Sequence, residues 1–284
     1  MASASLGQSN RSRTLRRFRD PGTILGSVLA ITLVVIALLA PWITGDPLLQ
    51  DTKQRLQAPN PNHWFGTDQL GRDVMSRVLY GARISLRIGL VVTAISMTIG
   101  ALVGLIAGLI GGIWDDILMR ITDIFLAFPG LILAMAISAA LGPNLSNVMI
   151  AVAAVSWPGY ARLLRAQVLA VKNLEFVDAA RSLGAGTSRI AFKHLLPNSF
   201  APLLVQASFD IGSAILVAAG LSFIGFGAQP PTPEWGAMVS ETRSFMREAP
   251  WASSAPAIAI LLTVLAFNLL GDGLRDVLDP KGSR

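Results

Sequence analysis

Apolar runs of about 20 residues recur along the chain, each long enough to cross the roughly 30 Å hydrocarbon core of a bilayer as a helix. They read as Ile24 to Ile43, Ile84 to Ile113, Ile117 to Leu141, Val148 to Leu169, Phe200 to Phe226 and Ala255 to Leu270. Peptide groups in lipid have no water to bond, so runs of this length must satisfy their own hydrogen bonds as helices. The sequence therefore predicts an all-α, polytopic membrane protein with six transmembrane helices. Composition agrees: 52% of residues are hydrophobic and 14% charged, against about 25% charged in soluble domains. The first run follows Arg11, Arg13, Arg16, Arg17 and Arg19, as a secretory signal would. It is too long for the apolar part of one, and Pro41 sits where cleavage is awkward, so it reads as a retained anchor. The domain division is a cytoplasmic tail at 1–20 and one transmembrane domain at 21–284.

Orientation follows from Lys and Arg in the connecting segments. With the N-terminus inside, the cytoplasm receives the Arg-rich tail, then Arg162, Arg165, Lys172, Arg181, Arg189 and Lys193, then Arg275, Lys281 and Arg284. On the outside, Lys53, Arg55, Arg72 and Arg77 are offset by Asp46, Asp51, Asp68 and Asp73, and Arg243 and Arg247 by Glu234, Glu241 and Glu248. Both termini are thus expected in the cytoplasm of a multi-pass inner-membrane protein, with lipid as its solvent. The net charge of +6 is spread between apolar runs and makes no single basic face, which argues against a nucleic-acid partner. The absence of cysteine removes thiolate chemistry and Cys-based metal sites. His63 and His194 are expected on opposite sides of the membrane, so no metal site is predicted. No hydrolase triad is visible and no catalytic residue is assigned.

Gly100, Gly104, Gly108 and Gly112 recur every four residues in the second run, so they are expected on one helical stripe that admits a close neighbour. Two readings stand for this packing face: a helix of the same chain, or a neighbouring subunit. Asp210 lies midway along the fifth run, where an ionised carboxylate is costly unless it faces a wet cavity or a partner. It is a candidate pathway residue, with a hydrogen-bonded structural role as the alternative. Ser222 and Phe223, candidate pathway residues with Asp210, open a glycine-bearing end, Phe223 to Gly227, followed by Pro230, Pro231 and Pro233. This end either flexes as a gate or simply terminates the helix. Arg120 and Asp123, three residues apart, are expected to form a local ion pair. The outer loop from Thr44 to about Arg83 has the turn-forming residues Pro47, Pro59, Asn60, Pro61 and Asn62 and is too short for a separate domain.

The segment from about 171 to 198 reads as helix, turn, helix. Asn173 is the expected cap of the first helix, Glu175 suits its positive end, Arg181 its last turn, and Gly184 the left-handed termination. Thr187 is expected to cap the second helix and Pro197 to stop it. Phe176, Ala179, Ala180 and Leu183 fall at i, i+3, i+4 and i+7, one apolar face that a helix this short must cover against its own bundle or a partner.

Asp178-Ala179-Ala180, Gly184 and Leu196-Pro197 together resemble the cytoplasmic EAA motif of ABC importer permeases. Asp178 stands where Glu is usual, and His194 where many members have Ile. Phe65-Gly66-Thr67-Asp68 through Gly71-Arg72-Asp73, Tyr80 to Leu86, Leu221 to Gly227 and Asn268 to Asp276 look like the dipeptide, oligopeptide and nickel permease group. The short first outer loop is similar to that of the second permease type in peptide systems. Many relatives have Glu three residues before Leu-Ser-Phe, where this chain has Ala218, so no carboxylate role transfers there.

The resemblance implies the type I importer permease fold, with Glu175, Phe176, Asp178, Ala179, Ala180, Arg181, Leu183 and Gly184 docking onto ABC ATPase subunits. It also implies a homologous permease as heterodimer partner and an extracytoplasmic solute-binding protein. The substrates implied are dipeptides or oligopeptides, with nickel or glutathione as alternatives within the family. An ion-coupled secondary carrier using Asp210 or Asp123 is the rival of a different class. No G-x-x-x-x-G-K-[ST] motif is present to cradle phosphates, so ATP and Mg are expected on the partner ATPase subunits, and no cofactor on this chain.

Overall fold

A computed structural model describes residues 20–278. The expected tail therefore lies outside the described residues, except for Asp20, as do Lys281 and Arg284. Among the described residues the secondary structure is helical, with one isolated bridge between Thr67 and Asp73.

Among the described residues nine helices of eight residues or more define the architecture: α1 (Pro21–Ile43), α2 (Val74–Ile110), α3 (Gly112–Ala127), α4 (Gly130–Leu141), α5 (Leu145–Lys172), α6 (Glu175–Ser182), α7 (Ala201–Ile224), α8 (Trp235–Thr242) and α9 (Pro250–Leu278). Local chemistry starts several of them. Asp20 Oδ2 accepts the amides of Gly22 and Thr23 ahead of α1, and Asp73 Oδ2 accepts the Ser76 amide at 2.7 Å ahead of α2. Glu234 accepts the Gly236 and Ala237 amides at the start of α8. Burial pushes the Glu234 carboxyl above its ordinary range, against the opposing pull of those two donors.

Four helices, α1, α2, α7 and α9, are long and apolar enough to cross a membrane individually, and the α3–α4 pair makes a fifth crossing if taken as one broken span. The expected straight span Ile117 to Leu141 is thereby corrected, since the pair is bent by 90°. The cause is local: Pro129 has no amide proton and holds Phe128 in an extended conformation (φ −93°, ψ 142°). Alone, the 12 residues of α4 reach only about 18 Å. The 28 residues of α5 are long enough to span, but Arg162, Arg165 and Lys172 interrupt their apolarity. The described residues thus support four or five apolar crossings, not six equivalent ones.

The helices share a core of three stacked clusters. Val74, Val78, Trp235 and Met238 pack at the end carrying the 44–73 loop. Ile88, Val92, Val152 and Leu221 fill the middle, and Leu105, Leu164, Val177, Ile190 and Leu203 close the end carrying α6. Outward faces remain apolar, as with Leu25, Ile31 and Leu38 on α1, which suits a lipid solvent.

The 44–73 loop does more than balance charge. Arg72 and Arg77 are 1% exposed; Arg72 Nε donates to Asp68 Oδ2 at 2.6 Å, and both guanidinium groups reach Glu241 Oε2 on α8. Trp251 Nε1 donates to Thr67 O and Trp235 Nε1 to Val78 O. This buried clamp starts α2 at Val74 instead of Ile84: Arg77, expected in a solvated loop, is neutralised within the fold and stays helical.

Candidate coupling surface and membrane pathway

The segment after α5 begins at an extended Leu174, with no side-chain cap on α6; Asn173 ends α5 instead, correcting the expected cap. Glu175 and Asp178 occupy the first turn and Arg181 the last, where its Nη1 meets Asp178 Oδ1 at 3.0 Å. Gly184 has φ +82°, the left-handed conformation that ends α6. Beyond it, Gly186 and not Thr187 takes the cap position, and Ile190–Leu195 forms a π-helical turn. Pro197 does not stop this run: it is the second residue of the short helix Leu196–Ser199, where no amide is required.

Val177 alone anchors α6, fully buried in the terminal core cluster. Phe176, Ala179 and Leu183 are exposed, Leu183 to 88%, and Ala180 is half-buried. Leu174 and Phe192 add exposed apolar area, and Phe176 lies 6.2 Å from the His194 ring. An apolar surface thus sits on a helix of 8 residues, too short to be stable alone.

This surface is tied to the bundle through α5. Lys172 Nζ donates to Gly108 O and Leu109 O, completing the C-terminus of α2. Arg165 makes a bidentate pair with Asp115 on α3, both bonds 2.5 Å. Asp123 pairs with Arg162 at 2.6 Å instead of with Arg120 as expected. α5 also packs on the glycine stripe: a Cβ on Gly100 or Gly104 would strike the backbone of Trp157 or Ala161, and one on Gly108 the Val168 side chain. Gly112 leaves the stripe, because α2 ends at Ile110 and Gly111 and Gly112 take φ of +73° and +58°.

Three cavities lie along α7. Nearest α6 is one of about 550 Å³ whose lining includes Leu163, Gln167, Gln206, Phe209 and Arg275. A cavity of about 60 Å³ follows at mid-helix, with Asp210, Tyr160, Ser156 and Ser213 on its walls. At the far end, about 130 Å³ is bordered by Ser222, Gln229, Ser240 and Glu241. Gln206, Asp210, Ser213, Val217 and Gly220 recur at helical spacing, each at least partly exposed. Gln206 Nε2 donates to Asp210 Oδ1 at 2.9 Å. Ser222 is buried and its Oγ accepts the Ala228 amide, while Phe223 is exposed with the Arg243 guanidinium 5.7 Å above its ring. Gly225, at φ +100°, caps α7.

Residues 100–284 match the family described as "Binding-protein-dependent transport system inner membrane component". The chain belongs to this family. The permease is 47% identical over 259 residues to the dipeptide transport system permease protein DppC of Alkalihalophilus pseudofirmus, covering 91% of this chain and 85% of the relative. It is 50% identical over 263 residues to the probable D,D-dipeptide transport system permease protein DdpC of Escherichia coli K12, covering 92% and 88%. Against the glutathione transport system permease protein GsiD of Salmonella typhimurium it is 51% identical over 271 residues, covering 94% and 89%. It is a multi-pass membrane component of an ABC importer and has a transport role.

Within the permease, Glu175 to Gly184 form one surface, whereas Asp210 and Ser222 line separate cavities along α7. Sequence reasoning missed the Asp115–Arg165 pair, the Lys172 cap and the Asp68–Arg72–Arg77–Glu241 clamp. A signal existed for the α5 ties: Arg162 and Arg165 follow an apolar run, Asp115 and Asp123 lie on α3, and charges on membrane helices gain from a partner of opposite sign. His63 and His194 share no site, and no group of metal-binding side chains occurs among the described residues.

Proposed function

We propose that this permease forms half of the translocation pathway of an ATP-driven importer for dipeptides or oligopeptides, with both termini cytoplasmic and α6 as its mechanical handle. A homologous permease completes the pathway as a heterodimer, an extracytoplasmic binding protein delivers solute, and partner ATPase subunits bind the ATP and Mg. The row of cavities beside the half-polar face of α7 carries the reading. Gln206, Asp210 and Ser213 on a membrane helix are costly toward lipid and inexpensive toward a wet path. The exposed apolar face of α6 supports a docked partner, and the ties from α5 to α2 and α3 offer a route by which motion at α6 reaches the spans. Alternating access then needs two arrangements of the spans, biased by nucleotide at one end and loaded binding protein at the other.

The names of the dipeptide and D,D-dipeptide relatives support a peptide substrate. The glutathione relative favours a second reading, since glutathione is itself a peptide. Uptake by the reconstituted complex, with dipeptides, longer peptides, glutathione and nickel in competition, tests the substrate. Leu183→Asp tests the handle: the side chain is 88% exposed, so folding is expected to persist while ATPase subunits cease to co-purify. Undiminished co-purification and uptake in that variant would refute the docking role.

A further inference from the structure

The mid-helix cavity on α7 has the chemistry of a cation site. Its polar walls are Thr93, Ser96, Ser156, Tyr160, Asp210 and Ser213, with no basic residue among its lining. Ser96 and Ser156 donate their hydroxyl protons to Ala153 O and Val152 O, leaving oxygen lone pairs as acceptors. Thr93 Oγ1 is buried and closes no hydrogen bond, and the buried Tyr160 hydroxyl faces the Asp210 carboxylate. Gln206 steadies one carboxylate oxygen from the adjoining larger cavity. One carboxylate among hydroxyls, whose lone pairs accept as readily as their protons donate, complements a group with a positive charge and several N–H donors. A volume of about 60 Å³ admits a group of water-like size, since a water needs at least about 10–15 Å³, but no whole peptide. The larger cavity of about 550 Å³, beside Leu163, Val205 and Phe209, lies one helical turn away at Gln206.

We propose that the Asp210 cavity binds the protonated amino group of the transported peptide, an assignment that rests on the peptide-importer reading above. Dipeptides, D,D-dipeptides and glutathione share a free α-ammonium group, so one carboxylate serves them all.

The chain has no cysteine, so Ser213→Cys places one thiol at the cavity wall of the assembled, reconstituted complex. Labelling of this chain by aminoethyl and sulfonatoethyl methanethiosulfonate is followed by mass, each rate divided by that for free cysteine. The ammonium reagent is expected to react about tenfold faster than the sulfonate. Asp210→Asn should bring the ratio to about one, and Asp210→Glu should retain it. Glycyl-leucine should slow the labelling, and N-acetyl-glycyl-leucine should not. Equal rates, a ratio untouched by Asp210→Asn, or protection by sodium chloride equal to that by glycyl-leucine at matched ionic strength would overturn the proposal. Failure of the unmodified complex to import dipeptides or glutathione, with the charge preference intact, would instead overturn the peptide assignment and leave the ammonium site standing.

Discussion

Replacing Arg72 by Met tests whether the buried clamp, and not apolar packing alone, fixes the 44–73 loop to α8. Two arginines face Asp68 and Glu241, so the formal charge of the group sums to zero; the side chains of Arg72 and Asp68 are 1% and 3% exposed. Arg72→Met leaves two carboxylates facing one guanidinium, and an uncompensated buried charge typically costs about 3–5 kcal/mol. Arg72→Met combined with Asp68→Asn restores neutrality, because Arg77 and Glu241 remain. The Asp68→Asn change also keeps a side-chain oxygen for the backbone amides at positions 70 and 72, which Asp68 Oδ1 accepts at 2.9 and 3.0 Å. The double variant is therefore expected to regain at least about 2 kcal/mol relative to Arg72→Met alone, a coupling within the range for residues of one network. Reversible denaturation of the purified permease in mixed micelles, monitored by Trp fluorescence, measures both. A loss below about 1 kcal/mol for Arg72→Met, or a double variant no more stable than Arg72→Met alone, would show that charge balance does not hold the loop.

Further outcomes follow from the same packing. Gly104→Val sets side-chain atoms against Ala161 O and Arg165 N on α5; backbone cannot yield as a side chain can, so destabilisation of about 1–3 kcal/mol is expected in the same assay. Lys172→Met removes two donors to the last carbonyls of α2, a loss of about 0.3–1 kcal/mol, and hydrogen exchange should quicken locally around residues 108–112 without a global change. Val177→Asp buries a carboxylate in the terminal core and should abolish the folded α6 region, whereas Leu183→Asp should leave stability within about 0.5 kcal/mol; equal destabilisation by the two would contradict the exposed handle.

The helical membrane class and the family were legible in the sequence because both rest on patterns local to the chain. Long apolar runs oblige helices in lipid, and the Asp178-Ala179-Ala180 and Gly184 spacing needs no knowledge of distant residues. The four-residue glycine spacing likewise announced close packing, and the structure places α5 against Gly100, Gly104 and Gly108. The same spacing misplaced Gly112, since nothing periodic marks the point where a helix ends and φ turns positive. Caps at Asn173 and Thr187 were misread for a related reason: several polar residues qualify as caps by type, and only the chain's path selects one.

Sequence by itself determined that this chain must dissolve in a bilayer as helices, and which short segment carries an apolar face too small to stand alone. Tertiary structure decided which charges are buried and with whom. Arg72 meets Glu241 across 169 positions, a separation that carries no local signal. It also decided that Asp210 shares a cavity with Tyr160 of another helix. The physical reason is that backbone hydrogen bonding in lipid is satisfied within a helix, residue by residue, whereas a buried charge is satisfied only by whatever the folded neighbours bring beside it.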